Sequence, residues 1–313
     1  MRKKVTVVIP VYQNAGSIEA TCRAATAALD ALAEAVDYNF ILVNDASTDG
    51  SWDVMQRLQA ARQDKVTIIK FTRNFGQIAA LLAGYTYADG DCIVSMAADM
   101  QDPPQIITGM VDAWLEGHKL VVAGRIARDD GAVNDFISNF AWKILKRYAV
   151  PNLPKGGFDY FLMDKEIRDY YVNNPEQHIF IQGRLLYYGC EPYVIPYERQ
   201  KRLSGKSRTT FSRKLKYLID GFIGYSFMPL RAISLIGIVL SLISIMAAVI
   251  ISWYVLTKGS KVEGWASMMV VMLFLNGIQL MAFGVIGEYL WRNIEESRKR
   301  PHYIISEIKG NAK

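Results

Sequence analysis

The segment most informative about chemistry is Ala97-Ala98-Asp99-Met100-Gln101-Asp102-Pro103-Pro104. A carboxylate on a loop that ends a strand can hold a divalent cation against a diphosphate, and the cation offsets charge on a leaving nucleotide. The two prolines stiffen the backbone just after it. An acidic surface turn has the same composition, so this segment alone leaves both readings open. Asn44-Asp45-Ala46-Ser47-Thr48-Asp49-Gly50 is a second polar turn, and Arg73-Asn74-Phe75-Gly76-Gln77 is a third polar segment. Asp159 lies in Gly156-Gly157-Phe158-Asp159-Tyr160-Phe161-Leu162-Met163, where a lone acid caps a turn as readily as it does chemistry. His118, His178 and His302 are scattered without metal-ligand spacing and read as structural or exposed. Cys22, Cys92 and Cys190 are far apart and odd in number, and read as reduced thiols of a cytosolic domain.

Such side chains need a frame. Residues 5–11 are a β-branched run that reads as a buried strand, and the spacing over residues 17–32 predicts a helix with Ser17 as its N-cap. Strands follow at residues 39–43, 66–71 and 91–96, with helices at 51–62 and 76–88. The alternation predicts an α/β fold around a parallel, helix-covered sheet. Ligands of such sheets bind at the carboxyl ends of the strands, where the polar segments 44–49, 73–77 and 99–102 fall. The chain lacks G-x-G-x-x-G after the first strand and lacks G-x-x-x-x-G-K-[ST]. That weighs against a dinucleotide oxidoreductase or a P-loop NTPase.

The C-terminal third has a different character. No Asp, Glu, Lys or Arg occurs from 232 to 256, or from 264 to 287. Each window reaches the ~20 residues that cross a hydrocarbon core, and buried helices of soluble proteins are rarely so long and charge-free. The formal net charge is +6. Lys201, Arg202, Lys206, Arg208, Arg213, Lys214 and Lys216 crowd one stretch before the first window, and Arg292, Arg298, Lys299 and Arg300 follow the second. The positive-inside rule then predicts a multi-pass plasma-membrane protein with its N-terminal domain and both termini cytoplasmic. The apolar run near the N-terminus stops at Pro10, too short for a secretory leader. A basic patch beside a span favours anionic lipid over nucleic acid. Phe211, Leu215, Leu218, Ile219 and Phe222 share one helical face, which suggests an interfacial amphipathic helix. Gly237, Ser241 and Ser244 in one window, and Asn276 and Gln279 in the other, suit helix packing within a hairpin or between subunits of a homo-oligomer. The expected organisation is a cytoplasmic catalytic domain over 1–208, the interfacial helix over 209–229, transmembrane helices over 230–257 and 264–289, and a cytoplasmic tail over 290–313.

Val7-Val8-Ile9-Pro10-Val11-Tyr12, Asn44-Asp45-Ala46-Ser47-Thr48-Asp49, Arg73-Asn74-Phe75-Gly76 and Asp99-Met100-Gln101-Asp102-Pro103-Pro104 occur in that order ahead of paired apolar windows. Together they resemble the ordered motifs of glycosyltransferase family 2, in its polyisoprenyl-phosphate branch, over nearly the whole chain. The resemblance implies a GT-A (Rossmann-like) domain and an inverting transfer that depends on Mg2+ or Mn2+. It also implies a nucleotide-sugar donor, UDP-glucose first among candidates, and polyisoprenyl (undecaprenyl) phosphate as the acceptor. Pro10, Tyr12 and Asp45 would line the base and ribose pocket, with Arg73 and Arg125 also on the nucleotide-sugar. Asp99 and Gln101 would meet the metal and the diphosphate. Asp159 matches the family's catalytic acidic residue. Arg128, Arg199, Arg202, Lys206 and Ser207 would face the acceptor phosphate. An acceptor phosphate is already ionised, so Asp159 would chiefly orient the acceptor or the sugar.

The chain also departs from the pattern. Ala97 stands where many relatives have a first Asp, Gln13-Asn14 where they often have Asn-Glu, and Asn44 where they often have Asp. Asp99, Gln101, the diphosphate and waters would then make up the metal's shell. Two alternatives stay open. A processive polysaccharide synthase would carry more spans and a Gln-x-x-Arg-Trp motif, which Gln182-Gly183-Arg184-Leu185 does not supply. A non-catalytic membrane scaffold that binds nucleotide-sugar is suggested by Ala97.

Overall fold

The computed structural model describes residues 2–125, 146–147, 150–154, 157–177, 180–198, 228–258 and 264–310. Arg128, Arg199, Arg202, Lys206 and Ser207 lie outside these residues, as do the side chain of Arg125 and nearly all of the segment 209–229.

The first half alternates as its pattern predicts. β1 (Lys3–Val11), α1 (Ile18–Asp30), β2 (Val36–Asn44), α2 (Ser51–Ala61), β3 (Val66–Phe71), α3 (Gln77–Tyr87) and β4 (Cys92–Ser95) follow in order. After them come α4 (Ile106–Leu115), β5 (Leu120–Arg125), β6 (Phe161–Asp164), α5 (Lys165–Asn173), α6 (Ile181–Tyr187) and β7 (Tyr193–Tyr197). A last strand, β8 (Ile305–Lys309), lies within the expected C-terminal tail. The strands make one sheet in the order β7-β5-β6-β4-β1-β2-β3-β8.

β1 is buried on both faces, which is why its sequence is a run of β-branched residues rather than an alternation. Val5, Val7, Ile9 and Val11 join a core with Ile18, Cys22, Ala25 and Leu29 of α1 and with Ile107, Met110 and Val111 of α4. On the other face α3 rides directly on β1, because Gly84 has no Cβ to collide with the Val8 side chain.

The expected parallel sheet is in fact mixed. β1 to β4 are mutually parallel, but β6 runs antiparallel to β4 and β5, and β8 antiparallel to β3. The chain leaves β5 at the carboxyl edge of the sheet and enters β6 at that same edge, which fixes the direction of β6. The consequence is functional: the residues that lead into β6, Asp159 among them, sit at the carboxyl end of β4. The order 3-2-1-4 also reverses between β1 and β4, the switch point at which open α/β sheets bind ligands.

The molecule divides into two compact units, one of Met1–Phe222 with Pro301–Lys313 and one of Ile223–Arg300. The second unit holds α7 (Met228–Lys258) and α8 (Trp265–Ser297), so the second helix continues past the expected end at 289. Among the described residues, Leu230–Ala247 is long and apolar enough to cross a membrane, and none of it is buried. Leu242, Val249 and Trp253 of α7, and Phe274, Leu280 and Phe283 of α8, are likewise exposed. Residues 301–310 belong to the first unit, so the second unit is inserted in sequence between β7 and β8.

Candidate active site

The loops after β1, β2, β3 and β4 meet at the carboxyl edge, and each is held by hydrogen bonds from another element. The first two are stitched together. The Gln13 amide donates to Ser47 Oγ at 3.0 Å, Gln13 Nε2 to Thr48 Oγ1 at 3.1 Å, and the Asn14 amide to Ser51 Oγ at 2.9 Å. Asp49 accepts from the Ala15 amide at 3.2 Å and from the amide and hydroxyl of Ser51. Burial raises the Asp49 carboxyl, but the Ser51 and Ala15 hydrogen bonds outweigh it and hold the group below the ordinary carboxylate value.

Asp45, expected in the base and ribose pocket, is 3% exposed. Its Oδ1 accepts from the Phe75 amide at 2.6 Å and its Oδ2 from the Gly76 amide at 2.9 Å. Asp45 therefore positions the loop of Arg73, and contact with a ligand would use its remaining lone pairs. Burial raises its carboxyl above the ordinary value, opposed by the two amides and by Arg73. Arg73 itself is exposed, with its guanidinium over the Phe75 ring at 4.0 Å. Tyr12 is also exposed, and Pro10 is half-buried at the end of β1.

The loop after β4 is held from α1 and from β7. Ser17 does not cap α1 through its side chain, contrary to expectation. Its hydroxyl instead donates to the Ala98 carbonyl at 2.7 Å, and Thr21 Oγ1 donates to the same oxygen at 3.1 Å. One helical turn thus satisfies a buried carbonyl immediately before Asp99. Asp99 is half-buried, and its Oδ1 accepts from the Gln101 amide at 3.2 Å, a local turn that sets the carboxylate at the rim. Asp102 is 4% exposed and accepts from the hydroxyl of Tyr197 on β7, so it anchors the loop from beneath. Tyr160 packs beside this pair, where burial, then Asp102 and Tyr197, push its phenol well above the ordinary value.

Asp159 is exposed between Phe158 and Tyr160, both almost fully buried. The pairing of Ser95 with Phe161 places Asp159 just beyond the end of β4, along the same edge as the Asp99 loop. Gln182 Nε2 donates to the Phe158 carbonyl at 2.7 Å and fixes the backbone ahead of it. Ser17, Thr21, Asp102, Gln182 and Tyr197 all support this edge, a role the sequence reading gave to none of them. For Ser17 and Thr21 the signal was present, since hydroxyls four apart face one way on a helix.

Three of the four non-glycine residues with positive φ among the described residues lie in these loops: Gln13 (56°), Ala46 (51°) and Met100 (60°). Each such conformation costs of order 1–3 kcal/mol and persists only where the surroundings over-determine it. The hydrogen bonds that stitch these loops together supply that constraint.

Among the described residues no three His, Cys, Asp or Glu side chains cluster as a metal site. The Asp99 carboxylate and the side-chain carbonyl oxygen of Gln101 would offer hard-oxygen donors. That set fits a Mg2+-like ion, which is held by one or two carboxylates, substrate phosphates and water.

Comparison with known proteins agrees with this geometry. The model of glycosyl transferase family 2 matches residues 6–172. An uncharacterized glycosyltransferase of Synechocystis sp. is 33% identical over 312 residues, covering 99% of this chain and 97% of the relative. The bactoprenol glucosyl transferase of Shigella phage SfV is 31% identical, covering 98% of this chain and 99% of that protein. Among solved structures, a mannosyltransferase of Pyrobaculum calidifontis in complex with GDP-Man and Mn2+ superposes with a TM-score of 0.52 at 16% identity, over 90% of this chain and 84% of that one. A GT-A sheet with its loops pinned around Asp99, the family match and full-length relatives lead to one conclusion: the chain belongs to glycosyl transferase family 2 and is a glycosyltransferase.

Proposed function

We propose that this glycosyltransferase moves one sugar from a nucleotide-sugar, UDP-glucose first among candidates, to polyisoprenyl phosphate at the cytoplasmic face of the plasma membrane, with inversion. The observation that carries the reading is one chain with two kinds of surface. Polar loops ring the carboxyl edge of the catalytic sheet, while α7 and α8 expose side chains such as Trp253 and Phe283 that water would not tolerate in such number. Such a chain suits a water-soluble donor and a lipid acceptor. The phage relative, named for bactoprenol, supports the same acceptor.

In this reading α7 and α8 both span the bilayer and the basic residues face the cytoplasm. Asn276 and Gln279 are exposed on α8 in the single chain, where a neighbouring helix, including one from a second copy, would satisfy them. Pro10, Tyr12, Arg73 and Arg125 hold the nucleotide-sugar, and Asp45 aims the Arg73 loop. Asp99 and Gln101 hold the diphosphate together with Mg2+ or Mn2+, which neutralises charge on the leaving nucleotide when bound. The Mn2+ in the Pyrobaculum neighbour supports that choice. Asp159 orients the acceptor phosphate, which is ionised near neutral pH and needs no strong base. Arg128, Arg199, Arg202, Lys206 and Ser207 receive that phosphate, arginine through paired hydrogen bonds and lysine as a point charge.

Charge reversal tests the acceptor assignment. Arg202→Glu or Lys206→Glu should raise the KM for undecaprenyl phosphate sharply in detergent, with nucleotide-sugar binding almost unchanged. A basic collar for anionic lipid would lose only about 1 kcal/mol of surface attraction per charge, which the integral helices would mask. Normal acceptor kinetics in both variants would remove these residues from the site.

A further inference from the structure

The C-terminal segment does more than end the chain. β8 pairs antiparallel with β3, placing Lys309 opposite Ile68 and Ile305 opposite Phe71. Ser306 Oγ donates to the Lys70 carbonyl at 3.1 Å, and the Thr72 amide donates to the Ile304 carbonyl at 3.0 Å. At the far end Gly310, with φ 112°, lies so near Val66 that a Cβ would stand 2.7 Å from its carbonyl oxygen. The segment is therefore built into the sheet edge, and its first residues reach the carboxyl end of β3, where the Arg73 loop begins.

A chain of rings crosses that point. Tyr303 stacks on Phe71 with centroids 5.3 Å apart and planes 8° from parallel. Phe71 meets Phe75 edge-on at 5.7 Å, and the Arg73 guanidinium rests over the Phe75 ring at 4.0 Å. The Tyr303 hydroxyl donates to Thr86 Oγ1 of α3 at 3.3 Å, which holds the ring from its far side. Asp45 clamps the Arg73 loop from β2, and Tyr303 with Ile304 brackets it from β8. An exposed arginine samples many rotamers, and a fixed ring beneath its guanidinium narrows them.

We infer that Tyr303 is a positioning residue for the donor loop. It sets Phe71 and Phe75, and through them the Arg73 guanidinium, so the strand that follows the apolar unit completes the nucleotide-sugar site. The inference rests on the proposed role of Arg73 in donor binding.

The test uses full-length protein in detergent with Mn2+. Titration calorimetry gives the affinity for UDP, or for GDP where the parent binds GDP instead, and steady-state kinetics give donor KM and kcat. Tyr303→Ala should weaken nucleotide binding and raise donor KM by roughly fivefold, the ratio that loss of one aromatic pair corresponds to, with kcat and acceptor KM nearly unchanged. Tyr303→Phe keeps the stack and should match the parent. In an Arg73→Ala background the same Tyr303→Ala change should have little further effect, because the group it positions is gone. Should the alanine variant not fold, Tyr303→Leu keeps apolar bulk without a flat face and takes its place. Unchanged donor affinity in the alanine or leucine variant, or an equal loss with and without Arg73, overturns the inference alone. A parent that binds no nucleoside diphosphate overturns the donor-site reading and this inference with it.

Discussion

Asp99 and Asp159 sit on the same edge in different surroundings, in keeping with the different roles proposed for them. Asp99 is half-buried and oriented by the Gln101 amide, as suits a group that holds a diphosphate and its cation. Asp99→Asn preserves size but removes the charge. Activity should fall by about 10²-fold or more, and EDTA should do the same to the parent. Full activity in EDTA would contradict the metal role. Asp159 is exposed, and under its proposed role at the acceptor Asp159→Asn should depress kcat far more than nucleotide affinity. Equal losses in both would make it a donor-site or structural residue. Asp49 supports a pH test. Its folded pKa lies below the ordinary 3.8, so its stabilising contribution is present above that value and is lost as the pH falls through the folded one. The parent's unfolding midpoint should therefore drop more steeply below about pH 4 than that of Asp49→Asn. Parallel curves would contradict the hydrogen-bond account. The placement of Asp99 and Asp159 along one edge was legible because each acid closely follows or precedes a strand in the sequence. The work of Asp45 was only partly legible: a carboxylate that binds a ligand and one that binds a neighbouring amide have the same sequence, and only the folded loops show which N–H groups it meets.

At the scale of elements, the site depends on helices and strands that hold its loops from behind. α1 sends Ser17 and Thr21 to the Ala98 carbonyl, so a Ser17→Ala, Thr21→Val double variant would leave a buried acceptor unpaired. We expect a stability loss of about 1–3 kcal/mol in chemical denaturation, together with reduced kcat from a looser Asp99 loop. A stability loss with unchanged kcat would show that the loop does not need this support. β1 to β4 were legible because β-branched runs separated by helical spacing have one straightforward packing. The direction of β6 was not, since it depends on the sheet edge at which the chain returns rather than on composition. β8 was hidden for another reason: residues 305–309 become a strand by pairing with the open edge of β3, and their own sequence places two charges among five residues.

Across the whole molecule, an apolar unit is inserted between two strands of one catalytic sheet. The charge-free windows set that unit apart in the sequence, since they have the length and composition that hydrocarbon would impose. The return of the chain to β3 left no comparable mark. Under the proposed function that unit would anchor the enzyme in the bilayer, as an acceptor that cannot leave it would require: each CH₂ of a polyprenyl chain exposed to water costs ~0.8 kcal/mol. On that proposal the acceptor phosphate would be met at the membrane surface. The direct measurement is incubation of the purified full-length protein with radiolabelled UDP-glucose, and in parallel GDP-mannose and other UDP-sugars, plus undecaprenyl phosphate and Mn2+. The label is then partitioned between organic and aqueous phases. We expect one nucleotide-sugar to deliver label to the organic phase as a lipid carrying a single sugar, dependent on undecaprenyl phosphate. Label in a water-soluble polymer, or no lipid product from any donor, would contradict transfer to a polyisoprenyl phosphate.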